Sequence, residues 1–321
     1  LGYGQYSHEA HVAMTRTRAQ SGGEVFHQRR CHEAMDPNGV RFRESRDSEA
    51  HPNSLPVVFA LDVSGSMGEI PKRLATETLP SFMKALLDAG VTDPQVLFMA
   101  VGCAIGDAAP LQVGQFESTE RLMDQWLLNL YLEGGGAGGN ESYELAMYFA
   151  ARHTALDSVT RRGRRGYLFL TGDEPPNPSV SRTQVQRLMG DALADDIPIA
   201  QIIEETQQKY EPFFLIPDPG RAKAVERQWR DLLGDRVIVM TRPDDTSHVC
   251  AGLVSLLEGS APSLDALLTR FEVAGLPRSR AVDVARALTP FAASIGRDGA
   301  PNPRGGPTRL PEGPGRSGIR R

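Results

Sequence analysis

Apolar residues in this chain gather into short continuous runs, set between longer stretches of mixed character. Val57-Val58-Phe59-Ala60-Leu61 and Tyr167-Leu168-Phe169-Leu170-Thr171 are rich in strand-forming residues and lack polar alternation. That is the pattern of strands buried on both faces. Strands are predicted at 57–61, 95–101, 111–116, 167–171, 197–203 and 236–240. Helices are predicted at 70–89, 118–130, 141–155, 181–194, 221–233 and 246–257. This alternation predicts an α/β fold, a doubly wound and mostly parallel sheet with helices on both faces. The link between 95–101 and 111–116 is too short for a crossover helix, so one edge strand is expected to be antiparallel.

The flanks differ from this centre. Residues 1–54 form a polar lead segment holding five of the seven histidines, with short helices predicted near 7–20 and 24–34. Residues 55–258 form the main domain. The stretch 204–218 is longer than a simple connection and reads as an extra hairpin or a surface feature for a partner. Its apolar run 213–216 has the character of strand core rather than of an exposed docking patch. Residues 259–295 carry two more helices, 263–274 and 278–289, the second limited by Pro290. Residues 296–321 are rich in Gly, Pro and Arg and are expected to be disordered.

Composition is that of an ordinary globular protein, 40% hydrophobic and 23% charged. The net charge of -5 argues against general nucleic-acid or anionic-membrane binding. No apolar run approaches the roughly 18 residues of a spanning helix. The first residues show neither a basic start nor an apolar core, so no signal peptide is expected. Cys31, Cys103 and Cys250 are odd in number and widely spaced, which fits a reducing, cytoplasmic setting better than a disulfide scaffold.

The chemistry concentrates where the apolar runs end. Asp62-Val-Ser64-Gly-Ser66 follows the strand at 57–61, and Gly172-Asp173-Glu174 follows the strand at 167–171. A glycine-rich loop from Gly134 to Gly139 lies between them in sequence and closes with Asn140-Glu141-Ser142. Residues just past the carboxyl ends of parallel strands stand where open α/β sheets bind ligands. Carboxylates and hydroxyls without sulfur or imidazole suit a small hard cation such as Mg²⁺ or Mn²⁺ better than zinc.

These three motifs, in this order and spacing, resemble the metal-ion-dependent adhesion site of von Willebrand factor type A domains, over roughly residues 55–258. The closest kind is the intracellular bacterial one. The resemblance implies a metal held by Asp62, Ser64, Ser66, Asn140 and Asp173. Asn140 stands where the family has a threonine, with Ser142 as the fallback ligand and Glu174 as an alternative carboxylate to Asp173. It implies an open metal position filled by an Asp or Glu of a protein partner. It also implies a non-enzymatic adaptor within a multiprotein assembly, often with an AAA+ ATPase.

Other features are weaker. His8, His11, His27, Cys31 and His32 could contribute to a zinc site, but helix-surface or interface histidines are the plainer expectation. Arg161-Arg162-Gly163-Arg164-Arg165 reads as a solvated loop or as a patch for an acidic partner. No G-x-S-x-G, P-loop or H-E-x-x-H motif is present. A Mg²⁺-dependent hydrolase of phosphoesters and an extracellular adhesin are the alternatives to the adaptor.

Overall fold

In the computed structural model, which describes residues 6–10, 13, 27–74, 82–135 and 139–296, the first strand lies outside the main sheet. It is Arg43–Ser45 (β1). Leu55–Asp62 (β2) then runs through the middle of the molecule with all eight residues buried. Short helical pieces follow at Ile70–Arg73 (α1) and Phe82–Asp88 (α2), the predicted helix 70–89 lying partly outside the described residues. Pro94–Val101 (β3) is again wholly buried, and Leu111–Val113 (β4) folds back against it. Glu120–Leu128 (α3) and Tyr143–Arg152 (α4) come next. Thr154–Leu156 (β5), Asp157–Arg162 (α5) and Gly166–Thr171 (β6) follow closely. Gly163 closes α5 in the left-handed conformation, which a residue without Cβ adopts without strain.

The second half contains Ser179–Val180 (β7), Arg182–Met189 (α6), Ile197–Pro198 (β8) and Ile199–Gln207 (α7). It continues with Tyr210–Ile216 (β9), Pro219–Leu233 (α8), Val237–Val239 (β10) and Thr246–Leu257 (α9). Leu264–Val273 (α10) and Arg278–Ile295 (α11) end the described chain.

The main sheet has six strands in the order β10-β9-β6-β2-β3-β4. Every neighbouring pair is parallel except β3 with β4. This is the α/β, mostly parallel sheet with an antiparallel edge that the sequence predicts. Alternate residues of β2 feed two cores. Val57, Phe59 and Leu61 join side chains of α2, α9, α10 and α11, whereas Val58 and Ala60 join those of α4, α7 and α8. The chain leaves β2 to one side for β3 and returns to the other side with β6. The crevice at their carboxyl ends is therefore a topological switch point. Two further strand pairs lie outside this sheet, β1 with β5 and β7 with β8.

Several predicted elements are corrected. The segment 197–203 is not a sheet strand. It begins as the two-residue β8 and becomes α7, because Ile199, Ile202, Ile203 and Thr206 recur at helical spacing and three of them are buried. The strand of the main sheet is instead β9, which contains the run 213–216 that the sequence reads as strand core and begins earlier, at Tyr210, so the stretch 204–218 is neither an extra hairpin nor a surface feature there. Pro212 is compatible with this interior position. The carbonyls of Lys209 and Leu215 face β6 and that of Ile216 faces β10, so Pro212 also faces the β10 side. There β10 pairs only with Phe214 to Ile216, so the missing N–H interrupts no ladder bond.

The helix expected near 24–34 is not formed over residues 27–32, and only Glu33–Met35 makes a 3₁₀ turn. The helix expected at 7–20 lies mostly outside the described residues. Pro290 does not end α11, which runs on to Ile295. Val284 and Leu288 before the proline and Phe291 after it are buried, so packing on both sides holds the helix across it. The tail at 297–321 lies outside the described residues.

Candidate metal centre

β2 ends on Asp62, which is fully buried, and a short 3₁₀ turn follows at Gly65–Met67. The Asp62 carboxylate organises that turn. Its Oδ1 accepts hydrogen bonds from the Ser64 backbone N–H at 2.9 Å and from Ser64 Oγ at 2.5 Å. The hydroxyls of Ser64 and Ser66 stand 3.0 Å apart. Ser66 Oγ donates to Asp173 Oδ1 at 2.8 Å, across to the end of β6. Asp62, Ser64, Ser66 and Asp173 thus form one continuous chain of hydrogen-bonded oxygens spanning two adjacent strands.

The glycine-rich loop lies against this turn. Gly65 N–H donates to the Gly135 carbonyl at 2.7 Å, and Gly134 N–H donates to that of Val63 at 3.3 Å. A Cβ on Gly65 would stand 2.7 Å from the Gly134 carbonyl oxygen, so the two segments meet only because residue 65 has no side chain. Residues 136–138 of the loop lie outside the described residues. Asn140 is half-buried, and no hydrogen bond joins it to the oxygen chain. Ser142, the fallback, is buried and accepts from the Ala104 N–H at 3.0 Å, so its oxygen is engaged elsewhere. Glu174 is half-buried beside Asp173, and its charge acts on both Asp62 and Glu141.

Three side chains outside the implied ligand set complete the centre. Tyr143 donates its hydroxyl to Asp62 Oδ2 at 2.5 Å. Its ring stands edge-on to Phe214 and Trp229, and burial raises its own pKa well above the usual phenol value. Arg221 pairs with Asp173 Oδ2 from the first turn of α8. Glu141 is 2% exposed, and its Oε2 is buried with no hydrogen-bond partner. The sequence offers a partial signal for two of these, since Glu141 and Tyr143 directly follow the glycine-rich loop. It offers none for Arg221, which lies far from every motif.

The electrostatics are those of a site with surplus negative charge. Burial raises the Asp62 pKa to about 6, against the lowering effect of the Ser64 and Tyr143 hydrogen bonds. Burial, then the charge of Asp62, raises that of Glu141 to about 7. The donors are hard oxygens, the carboxylates oppose one another's ionisation, and one buried carboxylate oxygen has no partner. These residues fit a small divalent cation. Among the described residues no group of three or more His, Cys, Asp or Glu side chains is placed to hold a metal ion, so a cation at this centre would rest on the serine hydroxyls as well as on the carboxylates. His27, Cys31 and His32 therefore make no such site, and His11 lies outside the described residues.

The arginine run at 161–165 is occupied internally. Arg162 pairs with Asp47, Arg164 with Glu258 and Arg165 with Glu211. Arg161 lies 3.3 Å from Asp157. Among the described residues no helix is long and apolar enough to cross a membrane.

No protein-family model matches the chain, and no curated protein matches it. Solved structures do resemble it in outline. The pilus adhesin SpaC from Lactobacillus rhamnosus GG, in its open conformation, is 11% identical over 70% of this chain and 31% of its own, with a TM-score of 0.42. A von Willebrand factor type A protein from Catenulispora acidiphila is 14% identical over 74% of this chain and 53% of its own, at 0.38. Proximal thread matrix protein 1 from the mussel byssus is 9% identical over 66% of this chain and 48% of its own, at 0.38. The chain thus spans from about a third to about half the length of these structures.

Proposed function

We propose that this chain is a von Willebrand type A module that binds a protein partner through a divalent cation, Mg²⁺ or Mn²⁺. The observation that carries this reading is the oxygen chain Asp62–Ser64–Ser66–Asp173 at the switch-point crevice. Each hydroxyl in it now donates to a carboxylate or neighbouring hydroxyl, so each oxygen has a lone pair that a cation could use. Asp62, Ser64, Ser66 and Asp173 would hold the ion. Asn140 completes the set that the family resemblance implies, and Glu141 is the stronger candidate on the ground of its unpartnered buried oxygen. When bound, the ion would supply a Lewis-acidic position open to an anionic oxygen. A partner Asp or Glu carboxylate suits that position, and a neutral amide suits it less well.

An adaptor that performs no chemistry of its own is the form of this function we favour. Among the described residues no imidazole hydrogen-bonds to the cluster, which supports a binding role over hydrolysis of phosphoesters. A cytoplasmic assembly with an AAA+ ATPase is the setting the resemblance implies. Calorimetric titration with Mg²⁺ and Mn²⁺ tests the reading. One site in the wild type and none in Asp62→Ala is expected, and equal binding by both would refute it. Pull-down of the native partner should then fail in EDTA and return on adding Mg²⁺.

A further inference from the structure

Of the groups that touch the oxygen chain among the described residues, one is a cation. Arg221 donates through Nη1 to Asp173 Oδ2, while Ser66 Oγ donates to Oδ1. The two side chains differ sharply in burial, 2% exposed for Asp173 and 37% for Arg221. A guanidinium reaching in from the rim therefore neutralises a buried carboxylate. Its location runs against local preference. Arg221 is the third residue of α8, and no acidic residue occupies that first turn. A positive charge there is opposed by the helix dipole. The capping residue Asp218, 3.9 Å from Arg221 Nε, offsets only part of this. Departures from local rules of this kind are expected where function demands them.

We infer that Arg221 is a tethered counter-ion that competes with the divalent cation for Asp173, so that metal entry is an exchange rather than an addition. The inference rests on the metal-binding reading above. The Asp173 oxygen nearest the rim is already engaged by a positive donor. A second cation reaching Asp173, directly or through a coordinated water, meets like charge at short range. Asp62 is different. Its donors are the neutral Ser64 hydroxyl and N–H and the neutral Tyr143 hydroxyl, none of which repels a metal. Arg221 therefore sets the metal concentration at which the site fills and keeps Asp173 neutralised below it. Because the guanidinium is partly exposed, solvent and salt reduce this competition without abolishing it.

Manganese alone is a sufficient probe. Full-length wild type, Arg221→Gln, Arg221→Lys and Asp62→Ala are titrated with Mn²⁺ by calorimetry, with free Mn²⁺ followed by its paramagnetic resonance signal. Arg221→Gln is expected to bind about fivefold more tightly than wild type or better. Arg221→Lys should lie between them, and the gap should narrow at high salt. Melting in EDTA provides a readout independent of metal. There Arg221→Gln should melt below wild type, having lost the counter-ion, and should gain more on adding Mn²⁺. Equal or weaker Mn²⁺ binding by Arg221→Gln, with Asp62→Ala silent, would overturn the exchange and leave the metal site standing. Binding by Arg221→Gln but not by wild type supports the exchange and overturns metal binding by the natural chain. Binding by none of the four overturns both.

Discussion

Tyr143 links the buried core directly to the crevice. One end of it packs against Phe214 and Trp229, and the other donates to Asp62. Gly172 makes room for it, since a Cβ there would fall 2.1 Å from the Tyr143 hydroxyl oxygen. Tyr143→Phe is expected to cost the metal-free protein about 1–2 kcal/mol, because a buried carboxylate oxygen loses its donor. Thermal melts should show Mg²⁺ restoring most of that loss. Gly172→Ala should cost more, since it displaces the ring itself. A second effect at this scale concerns protons. Glu144 is 1% exposed, its Oε1 has no hydrogen-bond partner, and burial raises its pKa to about 7 from 4.5. The folded protein thus holds this proton more tightly than the unfolded chain. The contribution to stability is complete below about pH 4.5 and is lost as pH rises through about 7. Glu144→Gln should be near neutral at pH 4.5 and stabilising by about 1–3 kcal/mol at pH 8, as measured by urea titration at each pH. His248 has the opposite sign. Burial lowers its pKa from 6.5 to about 4, so its contribution is present above 6.5 and fades as pH falls toward 4.

Among the elements, α11 carries an avoidable defect. Pro290 is exposed, sits inside the helix and removes the hydrogen bond that its N–H would have given. Pro290→Ala is expected to raise stability by about 1 kcal/mol or more, seen as a higher melting temperature, with the entropic advantage of proline in the unfolded chain subtracting from the gain. Legibility from sequence divides along the same line. β2, β3 and β6 are legible because each is built on a continuous apolar run, and β2 and β6 end at polar turns. β9 is legible only in its second half, the strand-core run 213–216, because Glu211 and Pro212 break the apolar pattern of its first half. The segment of α7 reads as a strand because Ile-rich segments have strong β preference, and the burial of its helical face decides otherwise. In the centre, Asp62, Ser64, Ser66 and Asp173 are legible because motif and strand end coincide. Arg221 is not, because its role depends on the first turn of α8 standing next to Asp173, a tertiary fact. Asn140 and Glu141 are adjacent in sequence, and only burial distinguishes them.

At the scale of the whole molecule, the two last helices belong to the same core as the sheet. Leu267, Phe271, Leu288 and Phe291 are all buried there, and Phe291 meets Phe213 of β9 edge-on at 5.1 Å between ring centres. Each such side chain contributes about 1.5–3 kcal/mol on burial. A chain ended at Glu258 is therefore expected to lose cooperative unfolding and to bind a hydrophobic dye, which melting curves and fluorescence would show. The opposite flank is attached differently. β1 meets the rest of the fold at the short ladder with β5, the Arg43 N–H donates to the His153 carbonyl, and Arg46 and Arg162 clamp Asp157 and Asp47. If the crevice grips a partner while the chain ahead of β1 is held elsewhere, tension passes through this clasp before it reaches β2. Three paired residues, a few ion pairs and the hydrogen bonds of Arg43, Glu44 and Ser45 to Val113, Gln115 and Gln95 yield at lower load than an eight-residue strand paired on both sides. The clasp would then act as a shock absorber, lengthening the molecule while the grip is retained. Single-molecule stretching should record a small early extension before the sheet ruptures, and Arg162→Ala should lower the force at which it occurs.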